Sequence, residues 1–253
     1  MPLRVGVMTP IVFSDLDDTL FQTLRKCPDE GDGLKVMSTL LDGSPSGYST
    51  PRQQAMLAWL SSGRLIPVTA RSTVVLARVD IAQAPAICSN GGCIVLENGG
   101  LDLLWHDRLA EQARCDHAVH DVHRSLTETL DDEMFRHWVV AENGLPLYVV
   151  IKSNAGSTGE LAELAEHHRA LVPTGWRRHV NGNNLAYMPG WLNKRHAVGY
   201  MIGKIRAAEP DRPILGVGDS LSDVGFMDLC DFAIAPTGSQ FWRAATSNSD
   251  WLS

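Results

Sequence analysis

The chain contains no Cys-x-x-Cys pair, and its five cysteines (Cys27, Cys88, Cys93, Cys115 and Cys230) are an odd number scattered along its length. That usage argues against a disulfide framework and for reduced thiols in a cytoplasmic setting. No apolar run approaches the roughly 18 residues of a membrane span. The first ten residues are too short and unpatterned for a signal peptide, and they lead directly into an apolar strand. Basic charge is scarce: 22 Lys and Arg against 29 Asp and Glu leave a net charge of −7, the wrong sign for a nucleic-acid footprint. Neither Gly-x-Gly-x-x-Gly nor Gly-x-x-x-x-Gly-Lys-Ser/Thr occurs, so dinucleotide binding and Walker-type nucleotide hydrolysis lose their main support. No internal repeat or low-complexity stretch appears. What remains is a 253-residue chain, 44% hydrophobic and 20% charged, ordinary for a globular protein and long enough for one large or two modest domains.

Within it, Val12-Phe-Ser-Asp-Leu-Asp-Asp-Thr-Leu20 is an apolar run that breaks into carboxylates spaced one apart, Asp15 and Asp17. The run has the pattern of a buried parallel strand, whose C-terminal end is where open α/β sheets place ligands. Side chains alternate along a strand, so Asp15 and Asp17 lean the same way while the chain stays extended. Two carboxylates that close stay ionised together when a cation or donor lies between them, and a hard, oxygen-liganded Mg²⁺ suits the position. A turn and N-cap cluster ending the strand would leave the same sequence trace.

Three further segments follow. Arg64-Leu-Ile-Pro-Val-Thr-Ala-Arg-Ser72 is an apolar strand ending in hydroxyls, with Thr69 at its tip. Asn193-Lys-Arg-His196 opens a helix, where Lys194 would neutralise a carboxylate and phosphate oxygens together; taken alone, such a lysine is a solvated surface residue. Pro213-Ile-Leu-Gly-Val-Gly-Asp-Ser-Leu-Ser-Asp223 is a strand, a small-residue turn and two aspartates four apart. Gly216 and Gly218 permit close backbone approach, which puts Asp219 at the strand tip and Asp223 in the first turn of the next helix. A capped helix with two solvated acids is the plainer account.

Together and in this order, the four segments resemble the motifs of the haloacid dehalogenase superfamily, phosphatases with an aspartate nucleophile. The resemblance spans residues 12–223. It implies a nucleophile at Asp15, a general acid and base at Asp17, phosphoryl contacts from Thr69, Ala70, Arg71 and Lys194, and Mg²⁺ held by Asp15, Asp219, Asp223 and the backbone carbonyl of Asp17. The implied substrate is a small phosphorylated metabolite, first of all a sugar phosphate. A phosphotransferase or mutase would share the motifs and pass the phosphoryl group to another hydroxyl. A non-catalytic binding protein on the same fold is the further alternative, disfavoured by the presence of every motif residue.

The organisation is that of an α/β chain. Thr50-Pro-Arg-Gln53 is a capping-box start with Pro at the first helical position, and Gly63 marks the end of that helix. A strand at 65–69, a helix at about 72–82 and a strand at 86–89 follow, predicting a parallel sheet with right-handed crossovers. At Ser89-Asn-Gly-Gly92 the rhythm changes. Cys93–Glu97 and Leu101–Trp105 read as a hairpin about Asn98-Gly-Gly100, followed by a polar helix at about 107–130. Strands at 134–141 and 145–152 flank Asn143-Gly144. A helix at about 157–171 then precedes a strand pair at 176–188 around Asn181-Gly-Asn-Asn184. From Lys194 the α/β rhythm returns: helix 194–207, strand 213–217, helix 222–229 and strand 232–235.

The expected architecture is therefore a Rossmann-like parallel-sheet core of residues 1–90 and 189–253 with an α+β insert at 91–188. An insert there resembles the cap of the Cof-type and sucrose-phosphatase-like branch, with Asn90-Gly91 at the hinge. By that resemblance Asn90, Lys152 and Asn183, with Asn181 and Asn184 beside it, are substrate-binding candidates; each is equally well a turn or surface residue. About thirty residues between Thr19 and Pro51 exceed what the branch usually carries, and read as an enlarged hairpin flap near the site or as a surface loop. Cys115-Asp-His-x-x-His-x-x-His123 places histidines 117, 120 and 123 at positions that drift around a helix too far to converge on one ion, so they read as a solvated face. His167-His168 reads the same way, and Trp191, three residues before Lys194, reads as buried.

Overall fold

The computed structural model describes residues 8–28, 33–180 and 182–247. It divides into two compact units, Met1–Asp102 with Lys194–Ser253, and Leu103–Asn193.

The first unit is built on a four-stranded parallel sheet in the order Phe232–Ile234, Ile214–Val217, Ile11–Ser14, Arg64–Pro67. Ile11–Ser14 is buried throughout, as a central strand covered on both faces must be. Its residues pair with two neighbours at once, Phe13 standing opposite Gly216 and Ile66. The register brings Ser14, Val217 and Pro67 level, so three strands end together, and the amide of Asp15 still donates to Val217 O at 2.9 Å. Beyond Pro67, a bridge from Val68 to Ile87 adds Ala86–Cys88 in parallel, and that strand turns back antiparallel onto Cys93–Val95.

The Pro51–Leu60 helix has the capping box read from the sequence: Thr50 accepts from the Gln53 amide, and the Gln53 side chain accepts from the Thr50 amide. Gly63 follows it because the chain passes Pro10 closely there; a Cβ would stand 2.4 Å from Pro10 O. The flap between Thr19 and Pro51 contains a hairpin, Lys35–Thr39 against Pro45–Ser49. It is sewn to the core by backbone bonds from Thr39 to Arg78 O and from Asp80 to Met37 O.

That stitching explains one departure. In place of a helix at 72–82 there is a single turn, Thr73–Leu76. Its residues include β-branched Thr73, Val74 and Val75, poor helix formers, and the backbone at 78–80 is taken by the flap. A second departure lies at 93–105. The turn at Asn98-Gly-Gly100 forms, with Leu96 N–H donating to Gly100 O at 2.7 Å. The return strand reduces to a bridge at Leu101, because a helix begins at Leu103.

The second unit is the expected α+β module: an antiparallel sheet in the order Phe135–Glu142, Leu145–Ser153, Leu185–Met188, Arg177–Val180. The turn at Asn143 (φ 47°) and Gly144 (φ 77°) has both central residues left-handed, as a two-residue hairpin loop requires. Val119, Val122 and Leu126 from one helix and Leu161 and Ala165 from another share an apolar cluster with Phe135, Val149, Ile151 and Tyr187 of the sheet. The polar helix read at 107–130 is two, Leu103–Arg114 and Val119–Thr127. Between them Asp116 accepts from its neighbour's amide at 2.6 Å and from Trp176 Nε1 at 3.1 Å, a local side-chain competitor for the helical backbone. Asn181, one of the sequence candidates, lies outside the described residues.

The unit boundaries fall at 102/103 and 193/194, against the 91–188 read from the sequence. The strand Cys93–Val95 belongs with the first unit because its hydrogen-bonding partner is Ala86–Cys88. Asp102 is held there too, accepting from Lys204 Nζ at 2.7 Å and Tyr200 Oη at 3.1 Å.

Candidate active site

The strand ends of the first unit gather the charged residues. Asp15 follows Ser14 at the tip of the central strand, and Lys194 is the first residue of the Lys194–Ala208 helix. Lys194 Nζ donates to Asp15 Oδ1 at 2.6 Å and to Asp223 Oδ1 at 2.8 Å, with all three residues buried. Thr19 Oγ1 lies 3.2 Å from Asp15 Oδ2 and 3.3 Å from Asp219 Oδ1. Asp15, Asp219 and Asp223 thereby present carboxylate oxygens within 4.8 Å of one another.

The second pair of acids is positioned by backbone economy and a cap. A Cβ at Gly218 would stand 2.6 Å from the Asp223 Cβ, so only glycine lets the strand end meet the Leu221–Met227 helix this closely. Asp223 Oδ2 accepts from the Ser220 amide at 3.1 Å and from its hydroxyl at 2.7 Å. One oxygen of Asp223 thus fixes the helix start while the other faces Lys194. Asp219 is braced from behind, its carbonyl accepting from the Phe241 amide at 2.8 Å.

Two buried carboxylates, Asp15 and Asp223, and the half-buried Asp219 share one ammonium, so the cluster carries more negative than positive charge. Burial pushes Asp15 up to about 8; Lys194 opposes that rise and the neighbouring Asp223 adds to it. Asp219 is raised to about 6, again by burial first and then by Asp223. Burial alone would lower Lys194, but Asp15 and Asp223 outweigh it and hold its pKa above the ordinary value.

Asp17 stands apart from this cluster. Its carboxylate is gripped by Arg71, Nε to Oδ2 at 2.8 Å and Nη2 to Oδ1 at 2.7 Å, and its side chain is 53% exposed. The guanidinium also lies over the Phe21 ring, 5.2 Å from its centroid. Burial disfavours the Arg71 charge, but the Asp17 hydrogen bonds outweigh it and raise the Arg71 pKa. The Asp17–Arg71 pair joins residues 54 positions apart, and no local feature of either segment signals it.

Thr69 is buried at the end of its strand, where its hydroxyl oxygen accepts from the Arg71 amide at 3.0 Å. That leaves the hydroxyl proton to donate elsewhere. Ala70 is exposed beside it. Asn90 sits in an unusual turn: Ser89, Asn90 and Gly91 have φ of 50°, 58° and 96°. Its amide donates to Thr69 O at 3.0 Å, and the Ser89 amide to Arg71 O at 2.8 Å. Backbone held in sparsely populated regions is concentrated at functional sites, and here it braces the Thr69–Arg71 loop.

Two sequence candidates belong to the other unit. The Asn183 amide is consumed by the backbone of Ser153, accepting from its N–H and donating to its carbonyl, both at 2.9 Å. Lys152 extends over the Trp138 ring, 5.9 Å from its centroid. Thr19 and Ser220 are the residues that sequence reasoning passed over. A hydroxyl four residues after Asp15 and one directly after Asp219 were the available signals.

No protein-family model matches the chain, and no curated protein matches it by sequence. Its structure is similar to that of the sucrose-phosphatase from Synechocystis, solved with sucrose and phosphate. The two are 17% identical, the match covers 96% of this chain and 90% of that one, and the TM-score is 0.56. A protein from Thermoplasma acidophilum is similar at 14% identity, covering 95% and 90% of the two chains with a TM-score of 0.55. The chain thus shares the fold of that sucrose-phosphatase. No helix among the described residues is long and apolar enough to cross a membrane.

Proposed function

We propose that the chain is a phosphatase acting on a small phosphorylated metabolite, most naturally a sugar phosphate, through a phosphoryl-enzyme intermediate on Asp15. The observation that carries this reading is the Lys194 ammonium held between Asp15 and Asp223, with Asp219 completing the cluster. The sugar is favoured because the similar sucrose-phosphatase was solved with a sugar and phosphate.

The cluster fits Mg²⁺. Three converging carboxylates are the hard oxygen donors such an ion takes, and a cation there would offset the burial and mutual repulsion that raise the pKa of Asp15 and Asp219. Asp15, Asp219 and Asp223 would hold it. The chemistry supplied when it is bound is neutralisation of charge on the phosphoryl oxygens and the nucleophile.

This chain's residues do the rest. Asp15, oriented by Lys194 and Thr19, attacks phosphorus; the P–O bond to the leaving group breaks as the aspartyl-phosphate forms. The Thr69 hydroxyl and Lys194 ammonium donate to phosphoryl oxygens. Asp17 protonates the leaving oxygen, then takes a proton from the water that cleaves the acyl phosphate, which requires its carboxylate to swing off Arg71. Uncatalysed monoester hydrolysis is slow enough that accelerations reach ~10²¹, so nucleophile, cation, acid and ammonium act together. The test is phosphate release from a panel of phosphorylated sugars and other metabolites with Mg²⁺. Turnover lost on Asp15→Asn is the expected result; no release from any member overturns the proposal.

A further inference from the structure

We infer that Lys26 is a positioning residue for the proposed acid Asp17, and that it acts through the carboxylate of Asp18. The inference rests on the phosphatase reading above, and it gives the long segment between Thr19 and Pro51 a part in the chemistry.

Two adjacent acids follow the Ile11–Ser14 strand, and a different cation holds each. Arg71 grips Asp17 through both carboxylate oxygens, and Lys26 Nζ donates to Asp18 Oδ2 at 2.5 Å. The turn that carries the two acids is tight. Asp18 sits at φ 62°, in the left-handed region that Asp and Asn tolerate better than other side chains. Its amide donates to Phe21 O at 2.8 Å, and the Leu20 amide donates to Leu16 O at 2.9 Å. Neighbouring carboxylates on so short a turn compete for one guanidinium, whose fork of N–H groups fits either of them. Left unheld, Asp18 would displace Asp17 from Arg71 and leave the acid unaligned. Lys26 prevents this by keeping Asp18 occupied.

Lys26 is in turn placed by the flap. It ends the Leu24–Lys26 turn, its amide donates to Thr23 O at 2.9 Å, and its carbonyl accepts from Gln22 Nε2 at 2.7 Å. The Gln22 amide donates to Tyr48 O at 2.9 Å, and the Tyr48 amide donates to Gln22 O at 2.7 Å. Tyr48 belongs to the Pro45–Ser49 strand of the flap hairpin. The hairpin thereby anchors an ammonium beside the catalytic turn without supplying a reacting group. Lys26 is 55% exposed, and a pair so open to water adds little to stability. Its removal therefore shows in rate and not in melting temperature.

The test compares Lys26→Gln, Lys26→Arg and the double variant Lys26→Gln with Asp18→Asn against the unaltered protein. Each is assayed on the best metabolite of the phosphate-release panel and on nitrophenyl phosphate. Lys26→Gln should lower kcat/KM for the metabolite roughly tenfold, a part of the about 10²–10⁴ that a general acid supplies. Nitrophenyl phosphate, whose leaving group needs little protonation, should lose much less. Lys26→Arg should restore the metabolite rate, and so should the double variant, because an amide at position 18 no longer competes for Arg71 and still suits the left-handed turn. Equal losses on both substrates would mark a merely structural lysine and overturn the inference. So would an unchanged Lys26→Gln, or a double variant no faster than Lys26→Gln, the result expected if Lys26 touched the substrate itself. No turnover by the unaltered protein on any panel member would overturn the phosphatase reading, and this inference with it.

Discussion

The guanidinium of Arg71 holds both carboxylate oxygens of Asp17, at 2.8 and 2.7 Å, while its own amide donates to the Thr69 hydroxyl at 3.0 Å. One residue therefore ties the proposed acid to the proposed phosphate-binding loop. A planar fork makes that bidentate grip and an ammonium does not. Arg71→Lys should lower kcat/KM by about 100-fold, the lower end of a general-acid contribution. The loss should be larger for poor leaving groups than for nitrophenyl phosphate. Equal losses on both would remove Arg71 from the positioning of Asp17.

Asp15→Asn should abolish turnover, by on the order of 10⁴-fold or more, the scale seen when a covalent nucleophile is removed. It should leave the protein folded, because Lys194 retains Asp223 as a partner at 2.8 Å. Thermal unfolding separates loss of chemistry from loss of fold. Residual turnover above a few per cent in a folded variant would rule out the aspartyl-phosphate route.

Much of this site was legible in the sequence because its parts are local. Each of Asp15, Lys194, Asp219 and Asp223 ends a strand or begins a helix, and such boundaries are written in short apolar runs and small-residue turns. Pairings between distant segments were not legible. Nothing near Asp17 indicates Arg71, and nothing near His168 indicates Tyr187. The same holds for the fold: the Pro51–Leu60 helix follows from its own capping box, whereas the helix read at 72–82 fails because the flap competes for the backbone of residues 78–80. The strand expected at Cys93–Glu97 forms over Cys93–Val95, but it pairs with Ala86–Cys88, which precedes it in the chain, and not with Leu101–Trp105.

Metal dependence should follow the donor set. Three carboxylates and a crowded ammonium suit a small ion of fixed octahedral geometry, whereas Ca²⁺ takes more oxygens at longer distances. It would draw Asp15 into bidentate contact and block in-line attack. Chelator should therefore abolish activity, Mg²⁺ restore it, and Ca²⁺ inhibit in competition with Mg²⁺. Full turnover in chelator, or with Ca²⁺ alone, would show that the cluster works without a hard octahedral ion.

His168 gives the second unit a pH dependence of stability. It is buried, with Nδ1 2.9 Å from the Tyr187 hydroxyl, and burial, then His167, lowers its pKa from 6.5 to about 4. The unfolded chain therefore binds the proton more readily than the folded one. The stabilisation is complete above pH 6.5, is lost as pH falls towards 4, and changes no further below that. His168→Gln should cost about 1–2 kcal/mol at neutral pH through the lost hydrogen bond. Its melting temperature should converge on that of the unaltered protein between pH 6.5 and 4. Parallel melting curves across that window would mean that His168 does not titrate on unfolding.

Substrate choice should reside in the Leu103–Asn193 unit, since the proposed core residues address only phosphate and metal. Two excisions test this with different expected outcomes. Joining Asp102 to Lys194 through a short linker keeps Cys93–Val95 paired with Ala86–Cys88, and keeps Asp102 on Lys204 and Tyr200. That protein should fold and hydrolyse a small aryl phosphate. It should no longer rank larger phosphometabolites, because their remote binding energy is what the unit would exploit. Joining Asn90 to Pro189 instead removes the Cys93–Val95 strand and leaves Ala86–Cys88 with an unpaired edge. It also frees the Ser89–Gly91 turn that braces Thr69, so this protein should melt lower and turn over more slowly. A folded Asp102–Lys194 variant that kept the parent's substrate ranking would place selectivity in the first unit, with the Lys35–Ser49 hairpin as its source.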